Sequence, residues 1–479
     1  MLMVGATIGM RLVSMVSGII LARLLEPADF GVVALAQIIL STASLFSGLG
    51  MGLAVVQSQS DRSKIAYQGF VVSALSGSLL FLILLTNARL FSQILGNRDM
   101  VSVLQWMSAV VLLGSLTAVP EALIQKELLF GRLSTSLIVG EVVYMATAIG
   151  FAVLGAGLWS LVYAGLAKSF VYLVLIWWMS PGWDWIIPKP WDSQLMRGLL
   201  TYGIRTTGSG IVSFFNSIAD SLIVGRQLGA VALGLYSKAN DFTSRTVDGF
   251  NNVIGIVLFP SYAKIQNEKE RLSRAYLKSL RMISIFTIPV SMGMFITAPE
   301  MVPTLLGDKW LPMVLPFQFL SAVSLVRPLS ASTGALFAST GHPEYNLRAG
   351  FCITVIMVPL ILLFLDKGIS GVALAVLIAH TIGFGFNLYQ VHSMLPGTAV
   401  KMLTVTIPAL IGAGIMMLAV QISKAPLFQF GGQRHTVAPL GAMVSIGVIV
   451  YAVVMVIIQR PLVTEIVGLV LERFGLKRA

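Results

Sequence analysis

The sequence predicts an all-α protein that crosses a membrane many times, because its composition cannot cover a water-facing surface. Charged residues make up 11% of the 479 positions and hydrophobic residues 56%, whereas about a quarter of a soluble domain is charged. The apolar runs are long and continuous, and most approach the roughly 20 residues that a helix needs to cross a bilayer. Since a backbone in lipid must bond its polar groups internally, these runs predict helices rather than the short alternating strands of a barrel.

Fourteen apolar runs predict fourteen transmembrane helices. They lie at residues 3–25, 30–55, 65–86, 101–120, 134–154, 158–179, 202–224, 231–259, 282–299, 313–337, 347–365, 369–392, 401–421 and 438–458. The first run carries Arg11 and lacks a basic leader, which favours a membrane helix over a cleaved signal peptide. With a cytoplasmic N-terminus, eighteen lysines and arginines fall in the inside loops and tail and eight in the outside loops. Because cytoplasmic loops carry the excess of basic residues, both termini are predicted to be cytoplasmic.

A motif of the form R-x-L-x5-G-x4-A-[Q/N] indicates an internal repeat. Its first copy contains Arg23 and Gly31, and the second contains Arg226 and Gly234, 203 positions later; the second copy has Leu228 where the first has Leu25. A weaker pair matches residues 157–161 with 368–372. With six spans in each half, these matches predict two lobes, 1–179 and 198–393, related by a parallel repeat about the membrane normal. Residues 394–479 would add a helix pair and an amphipathic tail.

The segment 180–197 between the predicted lobes is rich in proline and tryptophan and is predicted to be a cytoplasmic linker. Residues 177–191 contain five of the eight tryptophans, which is typical of an anchor at the membrane interface; a ligand-stacking site is the alternative. The charged segments 264–281 and 459–479 also contain regularly spaced apolar residues. They are predicted to lie as helices along the cytoplasmic headgroups.

Four charged residues of the eighth span form a stripe of alternating sign, namely Lys238, Asp241, Arg245 and Asp248. Their spacing places them on one helical face, and the cost of charge at bilayer depth predicts that this face meets the protein interior or water. Asp220, near the end of the seventh span, is predicted to meet Lys238 across the connecting turn. Two interpretations stay open: an ion-pair ladder that locks helices together, or a site where Asp220, Asp241 and Asp248 carry ions or protons.

Three other arginines within spans are the better candidates for an anion site, since none has an acidic residue within four positions. They are Arg11, Arg205 and Arg327. Together with Lys238 and Arg245 they predict a cationic path across the membrane. Arg205 has the alternative of extending to the headgroups from a helix start. Glu141 and Lys168 stay open between a structural and a functional role.

Nothing in the sequence predicts an enzyme, a cofactor or a metal site. His342, His380, His392 and His435 are scattered, and no phosphate-binding loop, esterase motif or zinc-protease motif occurs. His380, alone in an apolar span, is expected to pack or to bond between helices. The single cysteine, Cys352, leaves no disulfide framework. The net charge of +12 lies mostly in short loops, which argues against a nucleic-acid partner.

Five stretches resemble the polysaccharide-export flippases of the multidrug/oligosaccharidyl-lipid/polysaccharide (MOP) superfamily. They are ILARLLEPADFGVVALA (20–36), DSLIVGRQLGAVALGLYSKANDF (220–242), VLFPSYAKIQ (257–266), LLGDKWLPM (305–313) and GISGVALA (368–375). They are spread over the first twelve spans, and their combination is specific to this branch although no single one is.

The resemblance implies two six-helix lobes around a central cavity, in a bacterial inner membrane. It implies a substrate consisting of an oligosaccharide repeat unit on undecaprenyl pyrophosphate, moved to the periplasmic leaflet by rocking of the lobes. The cations Arg11, Arg205, Lys238, Arg245 and Arg327 would then bind the pyrophosphate, and polysaccharide polymerase or assembly proteins are possible partners. Arg11 matches a cavity-facing arginine of the related peptidoglycan-precursor flippases. Ser17 stands where those relatives have a second basic residue, which argues against that exact substrate.

Two other functions compete with this interpretation. A cation-extruding drug antiporter of the same superfamily needs an acidic cavity, whereas six basic residues against about four acidic ones fall within the predicted spans when residues at the span ends are counted with the loops. A membrane polysaccharide polymerase or ligase needs a sizeable periplasmic loop with catalytic residues, and the predicted outer loops are small. No nucleotide site is predicted, so an ion gradient or the substrate concentration would drive transport.

Overall fold

The structure, a computed structural model, is all-helical over the residues it describes. It describes the backbone of residues 2–58, 60–431 and 436–460, and their side chains except those of 2–12, 205, 206, 208–210, 212, 213, 245, 247–257, 426 and 428–431. Within these ranges the α-helices are α1 Leu2–Leu24, α2 Pro27–Ser47, α3 Met51–Gln57, α4 Arg62–Leu95, α5 Met100–Lys126, α6 Phe130–Val153, α7 Trp159–Trp178, α8 Ser193–Ala263, α9 Lys269–Leu306, α10 Val314–Ser339, α11 Glu344–Leu363, α12 Gly368–Met394, α13 Thr398–Gly431 and α14 Val437–Ile458.

Each of the fourteen predicted runs coincides with a helix. The short helix α3 extends α2 past a turn at Gly50, whose φ is 70°, and the two together cover the second run. Helix α8 is divided at Gly229, where φ is 84° and ψ is 179°, so it covers the seventh and eighth runs. In the part of the chain that the structure describes, twelve helical segments are long and apolar enough to cross a membrane, with the two parts of α8 counted as one.

The two copies of the repeated motif pack directly against each other. A Cβ atom on Gly31 would lie 1.7 Å from the carbonyl oxygen of Ala230, and one on Gly234 would lie 1.8 Å from that of Pro27. The offset of 203 that relates Gly31 to Gly234 also relates Pro27 to Ala230. The contact is therefore reciprocal, as at the axis of a twofold interface. This geometry supports the repeat, while the limits of the lobes stay a prediction.

Two compact units are defined by the contacts within the chain. One covers Met1–Lys238 and the other Ala239–Ala479. The boundary falls inside α8, because the first part of α8 and its turn pack onto α2 and α3. A second close approach holds this packing: a Cβ on Gly203 would lie 2.1 Å from the carbonyl oxygen of Leu49.

The tryptophan-rich linker is folded onto the first unit. Trp185 is 3% exposed and packs edge-on against Phe70, with ring centroids 5.4 Å apart. Trp177 contacts both rings. The prediction of an interfacial anchor is thus wrong for Trp185, which belongs to a core cluster with residues of α3, α4 and α5. Trp178, Trp183 and Trp191 are exposed, as an interfacial anchor requires.

Helix α5 contains Pro120, whose missing amide leaves the carbonyl of Leu116 without its helical partner. The indole Nε1 of Trp177, on α7, donates a hydrogen bond of 3.1 Å to this carbonyl. A buried carbonyl without a donor is costly. Trp177 therefore satisfies a group that the proline exposes, and it joins α7 to α5.

The charged segment 264–281 does not form a separate surface helix. Its residues from Lys269 onward begin the 38-residue helix α9, which continues into the ninth predicted span. Leu272, Tyr276 and Leu280 are fully buried in a cluster with residues of α10 and α12. The apolar residues of this segment thus contact protein, and the prediction of a helix along the headgroups is wrong here. The corresponding prediction for 459–479 concerns residues that lie, from 461 onward, outside the described chain.

Helices α13 and α14 pack on α9. Lys424 of α13 forms an ion pair of 2.9 Å with Glu300 of α9, and each side chain is 13% exposed. The Lys424 ammonium also donates to the carbonyl of Ile296, at 2.9 Å. This buried pair fixes the additional helix pair to the second unit.

Candidate functional site

Lys238 lies buried in the first unit rather than on a solvated face. It is 7% exposed, and its ammonium sits 4.2 Å from the centroid of the Phe30 ring, a cation–π geometry. A Cβ on Gly18 would be 3.6 Å from the same nitrogen, so α1 approaches closely. The equivalent position of the first motif copy, 203 residues earlier, is Leu35, which is fully buried. A cation thus occupies a position where the repeat otherwise packs a leucine.

Asp220 lies on the other side of the turn at Gly229 and is 4% exposed. Its Oδ2 accepts a hydrogen bond of 2.7 Å from the Tyr236 hydroxyl, and its Oδ1 accepts bonds from the amide and hydroxyl of Ser221. Asp220 thus bonds across the hairpin to Tyr236, two residues before Lys238, while the predicted contact between Asp220 and Lys238 stays a prediction. Neutral donors thus share the charge of this carboxylate.

The two described members of the charged stripe have different surroundings. Asp241 is exposed, whereas Lys238, one helical turn earlier, is buried. The backbone stays helical through Asp248, as predicted. The side chains of Arg245 and Asp248, and those of Arg11 and Arg205, lie outside the described residues, so their place in a cationic path stays a prediction.

Arg327 is half-buried in the middle of α10. Helix α10 packs against α12, which carries His380. The Nδ1 atom of His380 lies 3.0 Å from the carbonyl oxygen of Val376, one turn earlier on α12. A neutral His380 that donates through Nδ1 presents Nε2 as an acceptor. This contact lies within α12, so the expectation that His380 packs or bonds between helices stays a prediction.

Two acidic residues escaped the sequence analysis because the helices are longer than the apolar runs. Glu121 follows the predicted fourth span by one residue, and Glu300 follows the ninth span by one residue. Glu121 accepts hydrogen bonds from Tyr172 of α7 at 3.0 Å and from Gln125 at 3.1 Å. The signal available in the sequence was Pro120, which interrupts the apolar pattern without ending the helix.

The ambiguous residues Glu141 and Lys168 form an ion pair of 2.6 Å between α6 and α7. The Glu141 side chain is 16% exposed and that of Lys168 is 43% exposed. With Lys424 and Glu300, this is the second pair in which an acid within a helix is neutralised by a lysine of its neighbour. Over the described residues, no group of three or more metal-ligating side chains occurs.

The chain is similar to curated proteins of polysaccharide biosynthesis and transport. It is 24% identical over 388 residues to the lipopolysaccharide biosynthesis protein WzxC of Escherichia coli (strain K12), covering 79% of this chain and 74% of that protein. It is 25% identical over 292 residues to the succinoglycan biosynthesis transport protein ExoT of Rhizobium meliloti (strain 1021), covering 61% of this chain and 58% of that protein.

The fold matches a solved structure of the lipid II flippase MurJ in its inward closed conformation. The TM-score is 0.75, at 16% identity, covering 96% of this chain and 99% of that one. This likeness shows that the two proteins share a fold, and the apolar helices indicate a multi-pass membrane protein. A family model described as polysaccharide biosynthesis protein matches residues 20–315, well over half of the sequence, and the chain therefore belongs to that family.

Proposed function

We propose that this protein is a flippase that moves polyprenyl-pyrophosphate-linked oligosaccharide repeat units across the bacterial cytoplasmic membrane by alternating access. The observation that carries the proposal is the family match over residues 20–315, joined to relatives named for lipopolysaccharide biosynthesis and succinoglycan transport. The buried Lys238 and the half-buried Arg327 add the chemistry that a pyrophosphate needs, because anions entering a membrane require fixed cations. We place both termini in the cytoplasm and assign no enzymatic activity.

The bonding of the acidic residues favours an anionic substrate over a cation. Glu141 and Glu300 are paired with lysines, and Asp220 is bonded to Tyr236 and Ser221. A drug antiporter that binds cations needs carboxylates free to meet its substrate. These three acids already have partners, so none of them is free to meet a cationic substrate. Asp241, which is exposed, is the best described candidate for ion coupling.

Deletion of the gene in its own host tests the proposal. We expect loss of one surface or secreted polysaccharide and accumulation of its polyprenyl-linked repeat unit, still accessible from the cytoplasmic side. The polyprenyl-linked peptidoglycan precursor should keep its normal distribution between the two leaflets, since the proposed substrate is a different lipid-linked glycan. Normal polysaccharide export in the deletion strain would refute the function. Accumulation of the repeat unit on the periplasmic side would instead indicate a polymerase or ligase.

A further inference from the structure

A polar cleft lies in the first unit, at the end of the lobe where α3 ends and where α4 and α8 begin. Its volume is about 580 Å³, within the roughly 300–1,000 Å³ of small-molecule sites. The polar side chains around it include Gln57, Ser58, Asp61, Lys64, Asp192 and Gln194, with the Tyr202 phenol at one wall. The basic residues of this end, such as Lys64, belong to the loops predicted to be cytoplasmic.

The walls of the cleft are fixed by hydrogen bonds between the segments that form them. The amide of Gln68, which is fully buried, lies against the backbone N–H and C=O of Asp192, where it can accept one hydrogen bond and donate another. Lys126 donates to the carbonyls of Val55 and Ser58, at 3.1 and 2.7 Å, which closes the end of α3. The floor is the core cluster that contains Leu199 and Trp185. The cleft is therefore preorganised.

The charges of the cleft exclude an anion as its ligand. Two helices begin here, and such N-termini otherwise attract phosphate. Asp61 caps α4 by accepting from the amide of Ser63, and Asp192 caps α8 by accepting from the amides of Gln194 and Leu195. Both N-termini are thus neutralised by carboxylates, and Lys64 is the single base among the lining residues.

The same groups suit a neutral ligand rich in hydroxyls. Each capping carboxylate bonds the backbone through Oδ1, which leaves Oδ2 as an acceptor. Gln57 and Gln194 are exposed, and each amide offers both a donor and an acceptor. Sugar hydroxyls need this mixture, and the face of a sugar ring packs on an aromatic ring such as Tyr202.

We propose that this cleft is a binding site for the neutral glycan portion of the substrate, separate from the cations that meet its pyrophosphate. The proposal rests on the flippase function above, since it supplies a place for the headgroup on the side from which the substrate enters. The sugar would bind in the first unit while its lipid tail stays in the bilayer. Selectivity for one glycan would then depend on the amides and carboxylates of the cleft.

Binding of a soluble probe to the full chain in lipid nanodiscs tests the proposal. The probe is the repeat-unit oligosaccharide released enzymatically from the host's own exported polysaccharide, without lipid or pyrophosphate, and inorganic pyrophosphate serves as the second probe. Saturation-transfer NMR should detect the oligosaccharide. The double variant Gln57→Ala/Gln194→Ala should weaken its binding at least tenfold. Lys189→Ala, at a partly exposed linker residue outside the cleft, should leave the binding unchanged.

The outcomes separate the cleft from the transport function. Asp192→Asn keeps the helix cap, because asparagine is an equally good N-cap. This variant should also weaken binding of the oligosaccharide and should not create a pyrophosphate site. Equal affinity of the parent and the double variant for the oligosaccharide, or no binding by the parent, overturns the proposed glycan site. The transport function is unaffected by either result as long as the deletion strain fails to export. Pyrophosphate that binds the parent and is lost in the double variant also overturns it. Normal export in the deletion strain would refute the transport function independently of these measurements.

Discussion

Gly31 and Gly234, at equivalent positions of the repeated motif, each lie against the backbone of the other copy. The atoms that a Cβ would meet are carbonyl oxygens of Ala230 and Pro27, at 1.7 and 1.8 Å, and a backbone cannot move aside as a flexible side chain can. Such an approach lets two helices pack without lipid between them. Because the contact is reciprocal, both glycines are required by the same geometry.

Alanine at either glycine should therefore destabilise the protein. We expect Gly31→Ala or Gly234→Ala to cost about 1–3 kcal/mol through overpacking, seen as a lower midpoint of thermal unfolding in detergent. Gly150→Ala is the matched control, because nothing lies within 4 Å of its Cβ position and alanine favours a helix. An unchanged midpoint for both motif variants would contradict the close contact.

Features set by neighbouring residues follow from the sequence, whereas contacts between residues far apart in the chain do not. The helices on either side of Gly229 follow from local hydropathy. The turn between them lies at Gly229, within the predicted gap between residues 224 and 231. The hydrogen bond from Trp177 to Leu116 and the contact between Gln68 and Asp192 join residues more than 50 positions apart. No local pattern selects such partners. The cleft escaped prediction for this reason, since its walls come from three separate segments.

The bond between Trp177 and Leu116 predicts a specific energetic coupling. Trp177→Phe keeps an aromatic ring but removes Nε1, which should cost about 1–3 kcal/mol because the carbonyl of Leu116 loses its donor. In a Pro120→Ala background the same change should cost much less, since the restored amide at position 120 can bond that carbonyl. Unfolding of all four variants in mixed micelles measures the coupling. Equal costs in the two backgrounds would show that the bond contributes nothing.

The ion pair between Lys424 and Glu300 predicts that single and double variants behave in opposite ways. Lys424→Met alone leaves a buried carboxylate and should cost about 3–5 kcal/mol. The double variant Lys424→Met/Glu300→Leu replaces both charges by apolar groups and should recover most of the stability. Protein yield and thermal midpoint in detergent check this. Arg271→Ala is a suitable control, because its pair with Glu268 is largely exposed and such pairs contribute little.

The predicted orientation can be tested with single cysteines in a Cys352→Ala background. Gln266 and Asp99 are both exposed, in loops predicted to be cytoplasmic and periplasmic. An impermeant thiol reagent applied to intact cells should label Asp99→Cys at once and Gln266→Cys only after lysis. Labelling of Gln266→Cys but not of Asp99→Cys in intact cells would reverse the orientation.

Lys238 provides the test that separates a transport role from a structural one. The first motif copy packs Leu35 at the equivalent position, so an apolar side chain fits this kind of site. We expect Lys238→Leu to reach the membrane in normal amount and to unfold within a few degrees of the parent, yet to lose polysaccharide export. Lys238→Arg should retain part of the export, because it keeps the charge but changes its shape and hydration.

Two results would assign Lys238 to packing instead. Normal export by Lys238→Leu would show that the substrate does not need this cation. Loss of both protein and export would show that the ammonium stabilises the fold, as its contact with the Phe30 ring permits. Leu35→Met, which conserves volume at the equivalent position, should export normally. This control shows whether any substitution in the motif impairs export or whether export needs the positive charge at Lys238. Because Lys238 is buried and Asp241 is exposed, exchanging these two residues would place a carboxylate against the Phe30 ring, so Lys238→Leu is the sharper experiment.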